Sequence, residues 1–184
     1  MLILASKSPR RNEILGKICN DFVAITKDCD ETLQEDIDPA DAVQMLSKRK
    51  AEAVFVDNPD ATVIGSDTIV SINGEILTKP LEFSDAYDML TKLSGNVHQV
   101  YTGVTILSKQ KEKTFYSKAD VEFAQMSREE IEWYINSNEI WDKAGSYGIQ
   151  GFGCRFIKGI VGDYYTVMGL PAQMTYEALK EFDY

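Results

Sequence analysis

Histidine is almost absent from this chain of 184 residues, and His98 is the only one. That removes any metal site built on two histidines and leaves a Ser-His-Asp triad dependent on one residue. His98 stands in the alternating run HQVYTGVTIL, which reads as a partly exposed strand position. Cys19, Cys29 and Cys154 are odd in number, with no CxxC spacing and no histidine cluster beside them. Neither a zinc site nor a disulfide framework is indicated, and free thiols are expected. No apolar run approaches the ~20 residues that span a bilayer, and Met1 leads into a strand-like segment rather than a basic and then apolar leader. A cytoplasmic protein with no membrane partner is expected. Positive charge is also in deficit, with 19 Lys and Arg against 29 Asp and Glu and a formal net charge of −10. That balance argues against nucleic-acid binding, which needs a basic face. Two phosphate-chemistry signatures are missing. GxxxxGK[ST] does not occur, which excludes a P-loop ATPase, and GSDTIV has glycine where the D-x-D pair of a haloacid-dehalogenase-type phosphotransferase needs its first aspartate.

Among what is present, LILASKSPRRNEIL at residues 2–15 stands out: a buried strand turns through hydroxyls and two arginines directly into a helix. A helix start offers unpaired backbone N–H groups and the positive end of the dipole. Ser6, Ser8, Arg10 and Arg11 add donors and charge at the same point, the equipment of a phosphate site. Ser8 before Pro9 marks the first turn, because serine caps orphan N–H groups and proline at the first helical position has no donor to waste. An ordinary N-cap followed by two solvated arginines is the alternative, and two further segments weigh against it. ATVIGSDTIV places Asp67 just past the apolar run 61–65, where open α/β sheets carry ligand sites, outside the carboxyl ends of strands. DKAGSYGIQG, residues 142–151, is a polar, glycine-punctuated loop offering Lys143, Tyr147 and Gln150, more than a structural turn needs.

The periodicities predict alternating elements: a strand over 2–5, a helix from 9 to about 16, and a strand near 22–25. An acidic loop over 28–38 follows, then a longer helix from Pro39 to near Asp57, which Asn58-Pro59 stops. Strands over 62–72 and 75–77 are joined by Asn73-Gly74 as a hairpin. Ser84 opens a helix that Gly95 closes, and strands at about 99–107 and 114–123 flank the charged turn 109–113. Ser127 with Glu130 forms a capping box for a helix to about Asn136. Short strands at about 156–161 and 164–168 surround Gly162-Asp163, and Pro171 begins a final helix. Hairpins interleaved with helices imply a mixed sheet, and the length suits one domain or two lobes around a cleft.

ASKSPRR, the Lys50 helix, GSDTIV, TKP at 78–80, TGVTIL, DKAGSYGIQG and GDYYTVMGLP follow one another over nearly the whole chain. In these motifs and their order the sequence resembles the Maf family of nucleoside triphosphate pyrophosphatases. The resemblance implies a single domain over 1–184 with an α/β fold, a mixed elongated central sheet flanked by helices, and two lobes around a cleft, akin to the inosine triphosphate pyrophosphatases. It implies hydrolysis of dTTP and UTP, or of modified pyrimidine nucleotides, to monophosphate and pyrophosphate with Mg²⁺ or Mn²⁺. A homodimer is compatible with it. The contrasting expectation is a noncatalytic nucleotide-sensing or division-regulating protein of the same fold, since fold does not fix function. The presence of Asp67, Lys50 and Lys79 favours catalysis.

By the same resemblance Asp67 is the general base, although a carboxylate at a strand end serves equally as a Mg²⁺ ligand. Glu31 is implied as a second acidic contributor and metal ligand, against a solvated loop in the acidic run DCDETLQED. Lys50 and Lys79 match lysines that neutralise phosphate oxygens, with Ser6, Ser8 and Arg11 as phosphate binders. Arg10, Thr68 and Gln150 match the positions associated with base choice. A glutamine amide accepts from N3–H and donates to O4 of uracil or thymine, a two-point match in one plane. A free amide can flip to serve cytosine, so a neighbour such as Thr68 or Arg10 must fix its orientation. A plain strand threonine and a loop-bracing amide are the structural alternatives.

Overall fold

The computed structural model describes residues 1–184. Its centre is a long antiparallel ribbon built from β-prone runs: β3 is Thr62–Ile72, β5 is Val97–Leu107 and β6 is Glu112–Phe123. β5 covers one edge of β3 along residues 63–71 and pairs with β6 on its other side. Two short strands share the remaining edge of β3. β1, Leu2–Leu4, pairs in parallel with residues 62–64 and carries β2, Phe22–Ala24, outside it. β4, Glu75–Leu77, folds back through the Asn73-Gly74 turn onto residues 70–72. Residues 65–69 are left without a strand partner on that edge, so the sheet forks there. β7, Ile157–Val161, adds to β6 and completes a mixed seven-stranded sheet in the order β2-β1-β3-β5-β6-β7, with β4 beside β3.

Each arm of the fork has its own apolar cluster on the same face of the sheet. In one, helices α1 (Pro9–Ile18) and α6 (Ala172–Lys180) bury Leu15 and Leu179 with Leu2, Leu4, Ile64 and Ile106. In the other, α3 (Phe83–Leu93) and α4 (Arg128–Asn136) bury Leu90, Ile131 and Tyr134 with Val70, Val100 and Phe123. Successive strand residues face opposite sides, so Val63, Gly65 and Ile69 turn the other way, under α2 (Pro39–Phe55). That helix lies in very close contact with the sheet because two glycines stand beneath it. A Cβ on Gly65 would meet the Ser47 carbonyl and lie 2.7 Å from the Ala51 amide nitrogen; one on Gly103 would meet the Val43 carbonyl and lie 2.9 Å from the Gln44 nitrogen. Between the glycines, Ser47 and Thr105 hydroxyls bond at 2.9 Å.

Several expectations need correction. Residues 164–168 form a short helix, α5 (Tyr164–Met168), not a strand. The Asp163 carboxylate accepts from the Tyr165 and Thr166 amides, and this cap outweighs the strand preference of YYTV. The strand before it starts at Ile157, since Phe152–Phe156 is a 3₁₀ turn. α3 opens at Phe83 rather than Ser84, because Glu82 and Asp85 cap each other's backbone. α1 continues to Ile18, and the turn before β6 is tighter than expected, with the Ser108 amide donating to the Lys111 carbonyl at 2.8 Å. All three cysteines are free, and no helix is long and apolar enough to cross a membrane.

His98 is fully buried rather than partly exposed. Its ring packs edge-on between Phe123 and Tyr147, with Nε2 2.8 Å from the Tyr147 hydroxyl and Nδ1 without a partner. Its alternation placed it on a strand, but the loop at 144–147 covers that position.

Two stability predictions follow from this packing. Gly103→Ala puts a methyl group against helix backbone, which cannot rotate away, so unfolding in urea should show a loss of about 1–3 kcal/mol. Burial pulls the His98 pKa from 6.5 down to about 4. A folded pKa below the unfolded one means that the neutral ring's contribution is complete above the unfolded value and is lost as pH falls towards the folded value. Between pH 7 and pH 5 the native protein should lose about 2 kcal/mol through this group. His98→Gln should lack that component, read as the difference between the two proteins' urea midpoints across the range.

Candidate active site

Six of the predicted residues meet at the fork: Glu31, Lys50 and Asp67 on one face, and Ser6, Arg11 and Thr68 on the other. On the α2 face, Asp67 sits two residues beyond Gly65, and the closeness of α2 brings Lys50 over it. The Lys50 ammonium donates to Asp67 Oδ1 and lies 2.9 Å from Glu31 Oε1. Lys50 and Asp67 side chains are only 16% and 14% exposed, so the pair is partly desolvated and its attraction exceeds that of a surface ion pair. Burial works against the Lys50 charge, but the Asp67 carboxylate and the hydrogen bonds to Asp67 and Glu31 outweigh it and hold the ammonium above the usual lysine pKa. The hydrogen bond from Lys50 holds Glu31 below the usual carboxylate range; partial burial opposes this, and Lys79 and Arg11 assist at longer range.

Glu31 is therefore not a merely solvated member of its acidic loop. Arg49, next to Lys50 on α2, donates to the carbonyls of Asp30 and Thr32 at 3.1 and 2.9 Å, gripping the backbone on both sides of Glu31. The Asp30 carboxylate receives the Thr32 amide at 2.9 Å. Sequence reasoning did not find Arg49, because its partners are backbone atoms distant along the chain.

On the opposite face Arg11 is the organiser. Its Nε donates to the Gly169 carbonyl at 2.8 Å, Nη2 to the Thr68 hydroxyl at 3.0 Å, and Nη1 lies 3.5 Å from the Ser6 hydroxyl. Burial lowers its pKa; Asp67 and Glu31 raise it, and Arg10 adds to the lowering. Thr68 also meets the Thr102 hydroxyl at 2.9 Å, and Thr102 donates to the Thr166 carbonyl at 2.7 Å. Ser66 reaches the same Gly169 carbonyl at 2.9 Å. The end of α5 is thus tied to α1 through β3, a link hidden from sequence reasoning once 164–168 reads as a strand.

The strand-to-helix turn is internally braced. Ser6 Oγ accepts the Ser8 amide at 3.2 Å, Ser8 caps α1, and Asn12, a residue the sequence reading passed over, donates to the Ser8 and Ser6 carbonyls at 2.9 and 3.4 Å. Lys79 is exposed on the segment after β4, where the Thr78 carbonyl receives the Gly145 amide at 3.1 Å.

The 142–151 loop lies beside α1. Asp142 is 3.7 Å from Arg10, and the exposed Gln150 stands near Glu13. Of the three side chains expected to be available in it, only Gln150 is. Tyr147 is buried on His98, and Lys143 donates to the Glu139 carbonyl and to Asp142. Arg10 and Gln150 therefore both lie where α1 meets the 142–151 loop, while Thr68 is engaged within the Arg11 network.

The architecture is that of a mixed α/β sheet forked at β3, with a lysine held between two carboxylates on one face and a braced arginine on the other. The chain belongs to the Maf family, whose model, described as Maf-like protein, matches residues 1–182. It is 47% identical over 182 residues, 99% of this chain and 95% of the other, to a protein of Bacillus cereus named dTTP/UTP pyrophosphatase. Proteins with the same name from Bacillus velezensis and Symbiobacterium thermophilum are each 46% identical, covering 99% and 100% of this chain and 96% and 94% of their own lengths. Among solved structures, the Staphylococcus aureus Ham1 protein overlaps in part, with a TM-score of 0.49 and 18% identity over 67% of this chain and 71% of that one.

The Arg11 geometry makes a sharp prediction. Lysine keeps the charge but has no planar fork to reach Gly169, Thr68 and Ser6 together. Arg11→Lys should therefore cost about 1–3 kcal/mol in urea unfolding, whereas a purely electrostatic role would leave stability within a few tenths of wild type.

Proposed function

We propose that this protein is a nucleoside triphosphate pyrophosphatase that hydrolyses dTTP and UTP to the monophosphate and pyrophosphate. The observation that carries the proposal is the Glu31–Lys50–Asp67 cluster at the unpaired edge of β3, with Lys79 and Arg11 close enough to act on Glu31. The names of the Bacillus and Symbiobacterium relatives point to the same substrates. A dissolved small-molecule substrate also accords with the net charge of −10 and with the expected cytoplasmic setting. Lys50 and Arg10 are ion-paired, but Lys79 and Arg11 are not, which leaves two positive charges to attract a triphosphate despite the sign of the whole chain.

The carboxylate oxygens of Glu31 and Asp67, joined by no histidine, suit a hard divalent cation, and no larger His, Cys, Asp or Glu cluster competes for it. Mg²⁺ and Mn²⁺ fit this donor set, since Mg²⁺ typically takes one or two protein carboxylates and completes its shell with phosphate and water. When bound, the cation neutralises charge on the phosphates. In the reaction, a water oxygen bonds to the α-phosphorus as the bond from that phosphorus to the α,β-bridging oxygen breaks. Pyrophosphate leaves, and Asp67 accepts the proton of the attacking water. Lys50 orients Asp67 and, with Lys79, balances the charge of the departing phosphates. Ser6 and Ser8 hold the turn that presents α1 and Arg11 to the anion. Gln150 reads the base edge, Arg10 flanks it, and Thr68 contributes by holding Arg11.

The test is product analysis with UTP and dTTP in the presence of Mg²⁺. Monophosphate and pyrophosphate in equal amounts are expected, whereas orthophosphate as the main product, or binding without turnover, would overturn the reading. Asp67→Asn keeps volume but removes basicity and should lower kcat by about 10²–10⁴. Titrating the metal separates its roles: a proton acceptor gives the same loss at saturating Mg²⁺, while a ligand also shifts the Mg²⁺ concentration required.

A further inference from the structure

Gln150 lies on a loop with few internal hydrogen bonds, yet its two flanks are fastened to a pair of linked side chains outside it, Glu139 and Tyr134. The carboxylate of Glu139, just beyond α4, accepts the Phe152 amide at Oε2 over 2.6 Å, and the Gly153 amide lies 3.4 Å from Oε1. Oε1 also accepts the hydroxyl of Tyr134 at 2.8 Å, and that hydroxyl in turn accepts the Gly148 amide at 3.0 Å. The anchors stand two residues before and two residues after Gln150. Tyr134 is fully buried in the α3–α4 cluster, so the fastening reaches rigid core. Gly151 lies so close to the carboxylate that a Cβ there would meet Glu139 Oε2. A carboxylate is the side chain this point requires: every group facing it is a donor, and an ionised glutamate offers acceptors only.

We propose that Glu139 is a positioning residue for base selection, setting the loop on which Gln150 meets the pyrimidine. The inference rests on the reading that Gln150 contacts the base. Glu139 touches neither base nor phosphate; it limits the conformations from which the Gln150 amide presents its acceptor and donor. Without the clamp the loop must be ordered at each binding event, which weakens binding of the matched base. The wrong bases lose less, because they gain little from Gln150 in the first place. Glu139 makes no contact with Asp67, Lys50 or Glu31, so the chemistry there is left in place.

The experiment measures kcat and KM for UTP, dTTP, CTP and GTP in wild type, Glu139→Gln, Gln150→Ala and the double variant. Glutamine is nearly the same size but puts an NH₂ group among converging donors. Glu139→Gln should raise KM for UTP and dTTP about tenfold, the scale of one lost charge-assisted hydrogen bond, with kcat within a few-fold. It should also narrow the UTP-to-CTP ratio of kcat/KM, and it should narrow that ratio no further when Gln150 is already alanine. An unchanged ratio in Glu139→Gln, alongside a changed one in Gln150→Ala, would overturn the positioning role and leave the base-reading role standing. An unchanged ratio in Gln150→Ala would overturn the base-reading role itself, and the positioning role with it. Should Glu139→Gln fail to fold, Tyr134→Phe releases only the Gly148 anchor; it should change the same ratio in the same direction, and an unchanged ratio there counts against the proposal.

Discussion

The contact on which the rest depends is the seating of α2 against β3 and β5 at Gly65 and Gly103. Helices normally stand off a sheet by the thickness of a side-chain layer; removing two Cβ atoms beneath Val43 to Ala51 lets helix backbone approach strand backbone directly. Lys50 follows one residue before Ala51, and Asp67 two residues after Gly65 on the same face, so the register that packs the glycines also sets the ion pair. Arg49 then uses the same helix turn to hold the Glu31 loop against it. One steric feature of the sheet thereby fixes three charged groups drawn from three distant parts of the chain.

The second constraint is the unequal length of the strands on the free edge of β3. A long strand flanked by two short ones exposes its middle, and that gap turns a continuous sheet into two arms. Asp67 and Thr68 both fall in the gap, and strand alternation sends them to opposite faces. On the proposed function, a ligand in the notch would meet the carboxylate and lysine cluster on one side and the arginine network on the other.

Local signals made most of this legible. The cap at Ser8-Pro9, the Asn73-Gly74 turn and the length of β3 all follow from short-range rules that tertiary packing does not override, whereas Asp67, expected outside the carboxyl end of a strand, stands in the middle of β3 because the pairing with β5 continues past it along residues 63–71. The failures share a cause. Residues 164–168 are β-prone, but Asp163 supplies two hydrogen bonds that such residues cannot refuse at so short a length, so the cap decides. His98 alternates correctly, yet alternation says which face a residue takes and nothing about what covers that face. Arg49, Asn12 and Glu139 are silent in sequence because each acts on backbone atoms, whose identity no residue type announces.

The same distinction explains how the charges divide their work. At rest Lys50 is paired with both Asp67 and Glu31, so neither of the mostly buried members is an unpaired charge, and the cluster's remaining negative charge falls on the half-exposed Glu31, in contact with solvent. In the proposed reaction a triphosphate changes the balance, because its oxygens compete with the exposed Glu31 for Lys50 while the ammonium stays on Asp67. Arg11 has no such freedom, since Gly169, Thr68 and Ser6 hold its fork in place and leave it as a fixed charge beside the notch. On that proposal Lys50 exchanges Glu31 for a phosphate oxygen while Arg11 keeps the frame. The division suits the proposed release of pyrophosphate: a site in which every cation was free to close on the product would hold what it has to let go.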